Sequence, residues 1–201
     1  MIFDLFDYIK IPEKTGDLNT DVKNLLIVNG REDTYAHVCK VADINHKIAQ
    51  MYFLDDSKCF AAGMLHDVST VIKPQDMLEY AVSKGWQLCK AEKEFPILLH
   101  QRLSVNAASE HFGIIDCDIL AAVDCHTTLR ANAGSYEKAL FIADKLAWDK
   151  QGTPPFYDKV IEALDNSLDA AAFEYMRFMT ENDMILCPHE NWTAAYKWLN
   201  T

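Results

Sequence analysis

The chain has 201 residues, half of them hydrophobic, and a formal net charge of −11 at pH 7. This length suits one domain with a substantial core better than two domains. Such an acidic chain argues against duplex nucleic acid and anionic membranes as main partners, because both demand clustered Lys and Arg side chains. No stretch approaches the roughly 20 apolar residues of a membrane span, and the first residues lack the basic start of a signal peptide. We therefore expect a cytoplasmic protein whose partner is a small molecule.

The composition favours helices over strands. Glycine and proline are scarce, with 7 and 6 residues, and no segment shows the clean alternation of polar and apolar residues that is typical of a strand. The six cysteines are scattered without a C-x-x-C pair, which predicts reduced thiols rather than disulfides or a structural zinc knuckle. We predict an all-α fold.

Helical periodicity and end signals place the predicted helices. Pro74 suits the first turn of a helix, Gly113 suits the residue after a helix, and Asp116 suits an N-cap. The predicted helices are, in chain order, residues 21–28, 33–51, 57–67, 74–83, 98–112, 116–126, 136–149, 156–179 and 192–198. We expect residues 31–201 to form one domain and residues 1–30 to form an N-terminal extension packed on it.

Six carboxylate and imidazole side chains lie on segments that are otherwise apolar. Asp144, for example, has only apolar neighbours one helical turn away, among them Leu140 and Phe141. A carboxylate that is ionised and buried without a partner is strongly destabilising, so a positive group must lie nearby. A hydrogen-bonded core histidine would explain any one of these residues, but not all of them together. The predicted metal ligands are His37, His66, Asp67, His100, His126 and Asp144.

The order His … His-Asp … His … His … Asp resembles the HD-domain superfamily of metal-dependent phosphohydrolases. Residues 61–67 are similar to that family's A-x-L-L-H-D segment, and Gly63 leaves room for another helix to approach closely. Residues 113–128 are similar to G-I-x-D-x-D-I-L-x-A-I-x-x-H-T-T, and residues 137–145 are similar to E-K-I-I-Y-I-A-D-K. Within the superfamily, the chain most resembles the YqeK type, the bacterial symmetrical diadenosine-tetraphosphate hydrolases, over residues 31–199.

The resemblance implies a single HD-domain-like helical bundle with two metal ions. One ion would be held by His37, His66 and Asp144, the other by His100 and His126, and Asp67 would bridge them. Imidazole and carboxylate ligands suit iron, manganese or zinc, and the resemblance favours iron. It also implies that Asp67 and His66 are catalytic and that a metal-bound hydroxide cleaves diadenosine tetraphosphate into two ADP.

The chain departs from this family where phosphate contacts are expected, since Thr70 stands at the position of a family lysine. The predicted substrate-binding residues are Arg102, Thr127, Arg130, Lys138 and Lys145. Two alternatives stay open: an HD phosphatase acting on another small phosphate such as a nucleoside monophosphate, and a metal-bearing nucleotide-binding module with little turnover. A homodimer is also left open.

Overall fold

The computed structural model describes residues 1–201, and it is all-α, as predicted from the sequence. The α-helices are α1 (Leu18–Val28), α2 (Glu32–Tyr52), α3 (Asp56–Leu65), α4 (Pro74–Ser83), α5 (Lys90–Glu94), α6 (His100–Glu110), α7 (Cys117–Cys125), α8 (Ser135–Leu146), α9 (Tyr157–Leu164), α10 (Leu168–Glu181) and α11 (Glu190–Leu199). Short 3-10 helices lie at Ile2–Leu5, Val68–Val71 and Pro96–Leu99. No helix combines the length and the hydrophobicity needed to cross a membrane.

Capping residues explain where several helices begin. Helix α4 starts at Pro74, and the side chain of Asp116 caps α7, both as predicted. The prediction of one helix over residues 156–179 was wrong, because the chain breaks between α9 and α10. There the hydroxyl of Ser167 accepts a hydrogen bond from the backbone N–H of Ala170 at 3.0 Å, and such a cap starts a new helix.

The centre of the molecule is built from α2, α3, α7 and α8. Helix α2 packs on α3 and α8, and α7 packs on α3, α6 and α8. Helices α2 and α3 approach closely, so that a Cβ atom added to Gly63 would lie 2.5 Å from the Cα atom of Ala42. The predicted close approach of a helix at Gly63 is confirmed, and it brings the N-terminal half of α2 near the C-terminal end of α3.

The first 30 residues contribute to the same hydrophobic core. Ile2, Phe3 and Ile9 are buried and belong to one contiguous cluster with the side chains of the helices. The Phe3 ring meets the His111 ring edge to face, with centroids 5.4 Å apart. These residues therefore pack on the helices, whereas the boundary at residue 31 stays a prediction.

Candidate metal centre

The structure brings the six predicted ligands together from five helices. Asp67 follows α3 and lies at their centre. Its Oδ1 atom is 3.2 Å from Nε2 of His100 and 3.5 Å from Nε2 of His126, while its Oδ2 atom is 3.6 Å from Nε2 of His66. The two carboxylate oxygens of Asp67 thus face different histidines.

Asp144 on α8 faces the fourth histidine, His37, and also His66. Its Oδ1 atom is 3.1 Å from Nε2 of His37 and 3.8 Å from Nε2 of His66. The ligand atoms therefore form two groups, one around His37 and His66 and one around His100 and His126, and Asp67 belongs to both.

Three of the histidines are oriented by the same kind of local hydrogen bond. Nδ1 of His66, His100 and His126 lies 2.7, 2.6 and 2.8 Å from the carbonyl oxygen three residues earlier. Each histidine directly follows a helix end, where the last carbonyl groups have no partner inside the helix and can accept the imidazole N–H. This bond holds the proton on Nδ1 and leaves the lone pair on Nε2, the atom that faces Asp67.

The helix ends differ from the predicted ones, and the difference determines which carbonyl groups can orient the histidines. Helix α3 ends at Leu65 and not at Asp67, and α6 begins at His100 and not at residue 98. Had α3 continued through Asp67, the carbonyl of Gly63 would have accepted a helix hydrogen bond from the backbone N–H of Asp67. The early end frees that carbonyl to position His66.

The ligand atoms fit metal ions. Nε2 of His66 is buried and has no hydrogen-bond partner, and Nε2 of His100 lies 2.9 Å from Nε2 of His126. Because Nδ1 of each ring donates its proton to a carbonyl, the two Nε2 atoms present lone pairs to each other. This is unfavourable unless a cation lies between them. Metal–nitrogen distances of about 2.0–2.1 Å place two ligands of one ion within roughly 4 Å of each other. The imidazole and carboxylate donors, without thiolate, suit iron, manganese or zinc.

The charges of the centre agree with this fit. Burial opposes ionisation of Asp67, yet positive charge on the facing His66 and His100 rings, which a metal ion would supply when the rings are neutral, holds its pKa well below the ordinary value. Burial also opposes ionisation of Asp144, but the neighbouring Lys145 ammonium keeps its pKa below the ordinary range. Burial lowers the pKa of His126 to about 4, so this ring is neutral near pH 7, as a metal ligand must be.

His37 is positioned differently, because it lies inside α2, where the backbone carbonyls are engaged in helix hydrogen bonds. Its Nδ1 atom lies 2.6 Å from Oδ2 of Asp149, a charge contact in which the ring N–H is not aligned with the oxygen as in a hydrogen bond. The ammonium group of Lys40 donates to the carbonyl of Trp148 at 2.9 Å and so fixes the loop that carries Asp149. No local pattern indicates this partner, because periodicity predicts a helix over residues 136–149, whereas α8 ends at Leu146.

The predicted substrate-binding residues divide into two sets. The Thr127 hydroxyl lies 3.2 Å from Nε2 of His100, and the Lys145 ammonium donates to Oδ2 of Asp144, so both reach the centre. The other three are paired with acidic residues: Arg102 with Glu92 at 3.3 Å, Arg130 with Glu137 at 2.5 Å, and Lys138 with Asp169 at 2.7 Å. A role in phosphate binding for these three stays a prediction.

A further group of potential ligands, Cys89, Glu92 and His189, lies outside the cluster of six. Nδ1 of His189 accepts a hydrogen bond from the backbone N–H of Asn191 at 3.0 Å, so the neutral ring carries its proton on Nε2. That nitrogen lies 3.7 Å from Oε1 of Glu92. The arrangement is that of a buried histidine facing a carboxylate, and a protonated Nε2 cannot bind a metal.

Known proteins share both the sequence pattern and the fold. The HD domain family model matches residues 34–149. A protein of Lactococcus lactis subsp. cremoris, described as an uncharacterized protein in the pepC 5′ region, is 39% identical over 137 residues, 68% of this chain and 70% of that protein. The symmetrical bis(5′-nucleosyl)-tetraphosphatase of Staphylococcus aureus is 29% identical over 161 residues, 76% of this chain and 80% of that enzyme.

A solved structure extends the similarity to the whole fold. The Clostridium acetobutylicum protein described as a predicted HD superfamily hydrolase involved in NAD metabolism has a TM-score of 0.78 and 26% identity, over 90% of this chain and 96% of that one. The family match covers more than half of the chain and includes all six residues of the metal centre. The resemblance seen in the sequence is therefore confirmed, and the chain belongs to the HD domain family of hydrolases.

Proposed function

We propose that the chain is a two-metal phosphohydrolase that cleaves symmetrical dinucleoside tetraphosphates, and that diadenosine tetraphosphate yields two ADP. Relatives named symmetrical bis(5′-nucleosyl)-tetraphosphatase support this choice of substrate, at 22 to 30% identity. We further propose that each chain binds two metal ions, and that iron is favoured over manganese and zinc.

The position of Asp67 carries the proposal. One of its oxygens faces His100 and His126, and the other faces His66. A carboxylate that offers one oxygen to each of two ligand groups is suited to bridge two ions. His37, His66 and Asp144 would complete the first ion's ligands, and His100 and His126 the second's.

The chain must supply positive charge locally, because its formal net charge is −11 and the proposed substrate is anionic. Paired metal ions, when bound, lower the pKa of water and offset the charge of phosphate oxygens. The Lys145 ammonium and the Thr127 hydroxyl lie against the ligands on one side. They can donate hydrogen bonds to phosphate oxygens there, and such contacts orient the tetraphosphate for attack.

Symmetrical hydrolysis adds one water molecule across the central phosphoanhydride bond. The water oxygen bonds to one of the two middle phosphorus atoms, the bridging oxygen leaves with the other, and the two protons of the water pass to the products or to solvent. Two nucleoside diphosphates result, whereas attack on an outer phosphorus atom would give a mononucleotide and a nucleoside triphosphate.

Product analysis tests the proposal. Purified protein supplied with Fe²⁺, Mn²⁺ or Zn²⁺ is incubated with diadenosine tetraphosphate, and the nucleotides are separated by chromatography. We expect two ADP for each substrate molecule and no product after chelation. Release of AMP with ATP, or orthophosphate from nucleoside monophosphates with intact diadenosine tetraphosphate, would overturn the proposed substrate. Binding without any turnover would favour a nucleotide-binding module instead.

A further inference from the structure

A mostly apolar cleft of about 340 Å³ opens beside the metal centre. Its walls come from the 3-10 helix before α6, from α10, and from the chain leading into α11. Ile97, Met179, Met184 and Trp192 are among the side chains that line it. The volume lies in the range of roughly 300–1,000 Å³ that is typical of small-molecule sites.

One end of this cleft is continuous with the metal centre. Thr127 and Lys145 line the cleft, and the same two side chains contact His100 and Asp144. A molecule whose phosphate lies at the metal centre can therefore extend its other end into the cleft without leaving the surface of the protein.

The outer part of the cleft has no lysine or arginine to hold a phosphate. No acidic side chain lines the cleft, and its only lysine or arginine is Lys145, at the end near the metal centre. Polar groups are few: the hydroxyls of Thr127 and Thr128 and the His189 imidazole. The rest presents aliphatic side chains, thioethers, the Cys187 thiol and the aromatic rings of Phe95, Tyr175 and Trp192. At the mouth, Met184 is 52% exposed and Leu186 is 86% exposed. Flat neutral rings bind well to surfaces of this kind, because they bury both faces against apolar atoms.

We propose that the cleft binds the nucleobase of the nucleotide whose phosphates lie at the metal centre. This inference rests on the proposed function and assigns its substrate preference to residues outside the metal centre. The centre and Lys145 would bind phosphates of any kind, and the cleft would favour nucleotides over phosphates that lack a base. Met184 at the mouth is then a specificity-determining residue.

The test compares the binding of ADP with that of inorganic pyrophosphate, which carries two phosphates and no nucleoside. Dissociation constants are measured by titration calorimetry on the metal-loaded protein, so that no turnover is needed. Met184→Trp fills the mouth of the cleft. Met51→Trp is the matched control, because Met51 is 47% exposed on α2 and does not line the cleft. Thermal unfolding followed by circular dichroism checks that both variants fold.

We expect the wild type to bind ADP at least about tenfold more tightly than pyrophosphate, as base stacking on aromatic side chains gives in other sites. Met184→Trp should remove most of this preference and leave pyrophosphate binding unchanged, and Met51→Trp should change neither. Equal affinities in the wild type, or an unchanged preference in Met184→Trp, would overturn the cleft proposal even if diadenosine tetraphosphate is hydrolysed. A wild type that shows the preference but releases no ADP from that substrate would instead refute the proposed function.

Discussion

The backbone of Gly63 on α3 lies directly against that of Ala42 on α2, so that a Cβ atom at position 63 would come within 2.5 Å of the Ala42 Cα atom and 2.8 Å of its nitrogen. The contact lies one helical turn from His66, whose Nδ1 donates to the Gly63 carbonyl. Gly63 therefore has two roles, since it sets the distance between the helices that carry His37 and His66 and it orients the second of these rings.

We predict that Gly63→Ala lowers the free energy of unfolding by about 1–3 kcal/mol, the usual cost of overpacking a close contact. It should also lower the affinity for metal ions, because α2 must move away from α3. Chemical denaturation and metal titration measure the two effects. Ala42→Gly should not rescue the variant, since the clash is with backbone atoms of residue 42. A Gly63→Ala protein with wild-type stability and metal affinity would contradict this account.

The sequence predicted the all-α fold and the identity of the clustered residues, because both depend on local patterns. Pro74 and Asp116 act through their own backbone or their nearest neighbours, so their helix starts were predicted correctly. The end of α3 before His66 was not predicted correctly, because the apolar periodicity continues past this residue. The pairing of His37 with Asp149 spans distant parts of the chain, so no local pattern indicates it.

We predict that Asp149→Asn lowers metal affinity about 10- to 100-fold, the usual effect of removing a carboxylate that orients a ligating histidine. The reason is that His37 has no free backbone carbonyl to hold its ring. Metal titration of the variant gives the affinity directly, without reference to activity. Asp158→Asn, an exposed change in the first turn of α9, serves as the control. Equal affinities for the two variants would mean that Asp149 does not orient His37.

The N-terminal residues should unfold together with the helices. We predict that Phe3→Ala lowers the free energy of unfolding by about 3–5 kcal/mol, because it empties a fully buried aromatic site. Leu5→Ala, in the same short helix but 58% exposed, should change it by no more than about 0.5 kcal/mol. Denaturant melts of both proteins test this. If Phe3→Ala were as mild as Leu5→Ala, residues 1–30 would not belong to the same cooperative unit.

Acid should weaken the contact between α5 and the start of α11. Burial opposes ionisation of Glu92, but its contacts with His189, the Cys89 N–H group and Arg102 together lower its pKa from 4.5 to about 2. The folded pKa lies below the unfolded one, so this stabilisation is fully present above about pH 4.5 and is lost as the pH falls toward 2.

The corresponding measurement is the free energy of unfolding of the wild type and of Glu92→Gln between pH 7 and pH 2. We expect the variant to be less stable at pH 7 and the difference to shrink below pH 4.5. Glu13→Gln, at an exposed site, should follow the wild type throughout. A difference that stays constant down to pH 2 would rule out Glu92 as the source of this acid sensitivity.

The shared position of Asp67 between two ligand groups is tested most directly by counting metal ions per chain. Metal-loaded protein is freed of excess ions by gel filtration, and its iron, manganese and zinc are measured by mass spectrometry for the wild type, His126→Ala and Asp67→Ala. We expect two ions in the wild type, one in His126→Ala and fewer than one in Asp67→Ala, with all three proteins folded. One ion or fewer in the wild type, or two ions retained in Asp67→Ala, would contradict the shared position of Asp67.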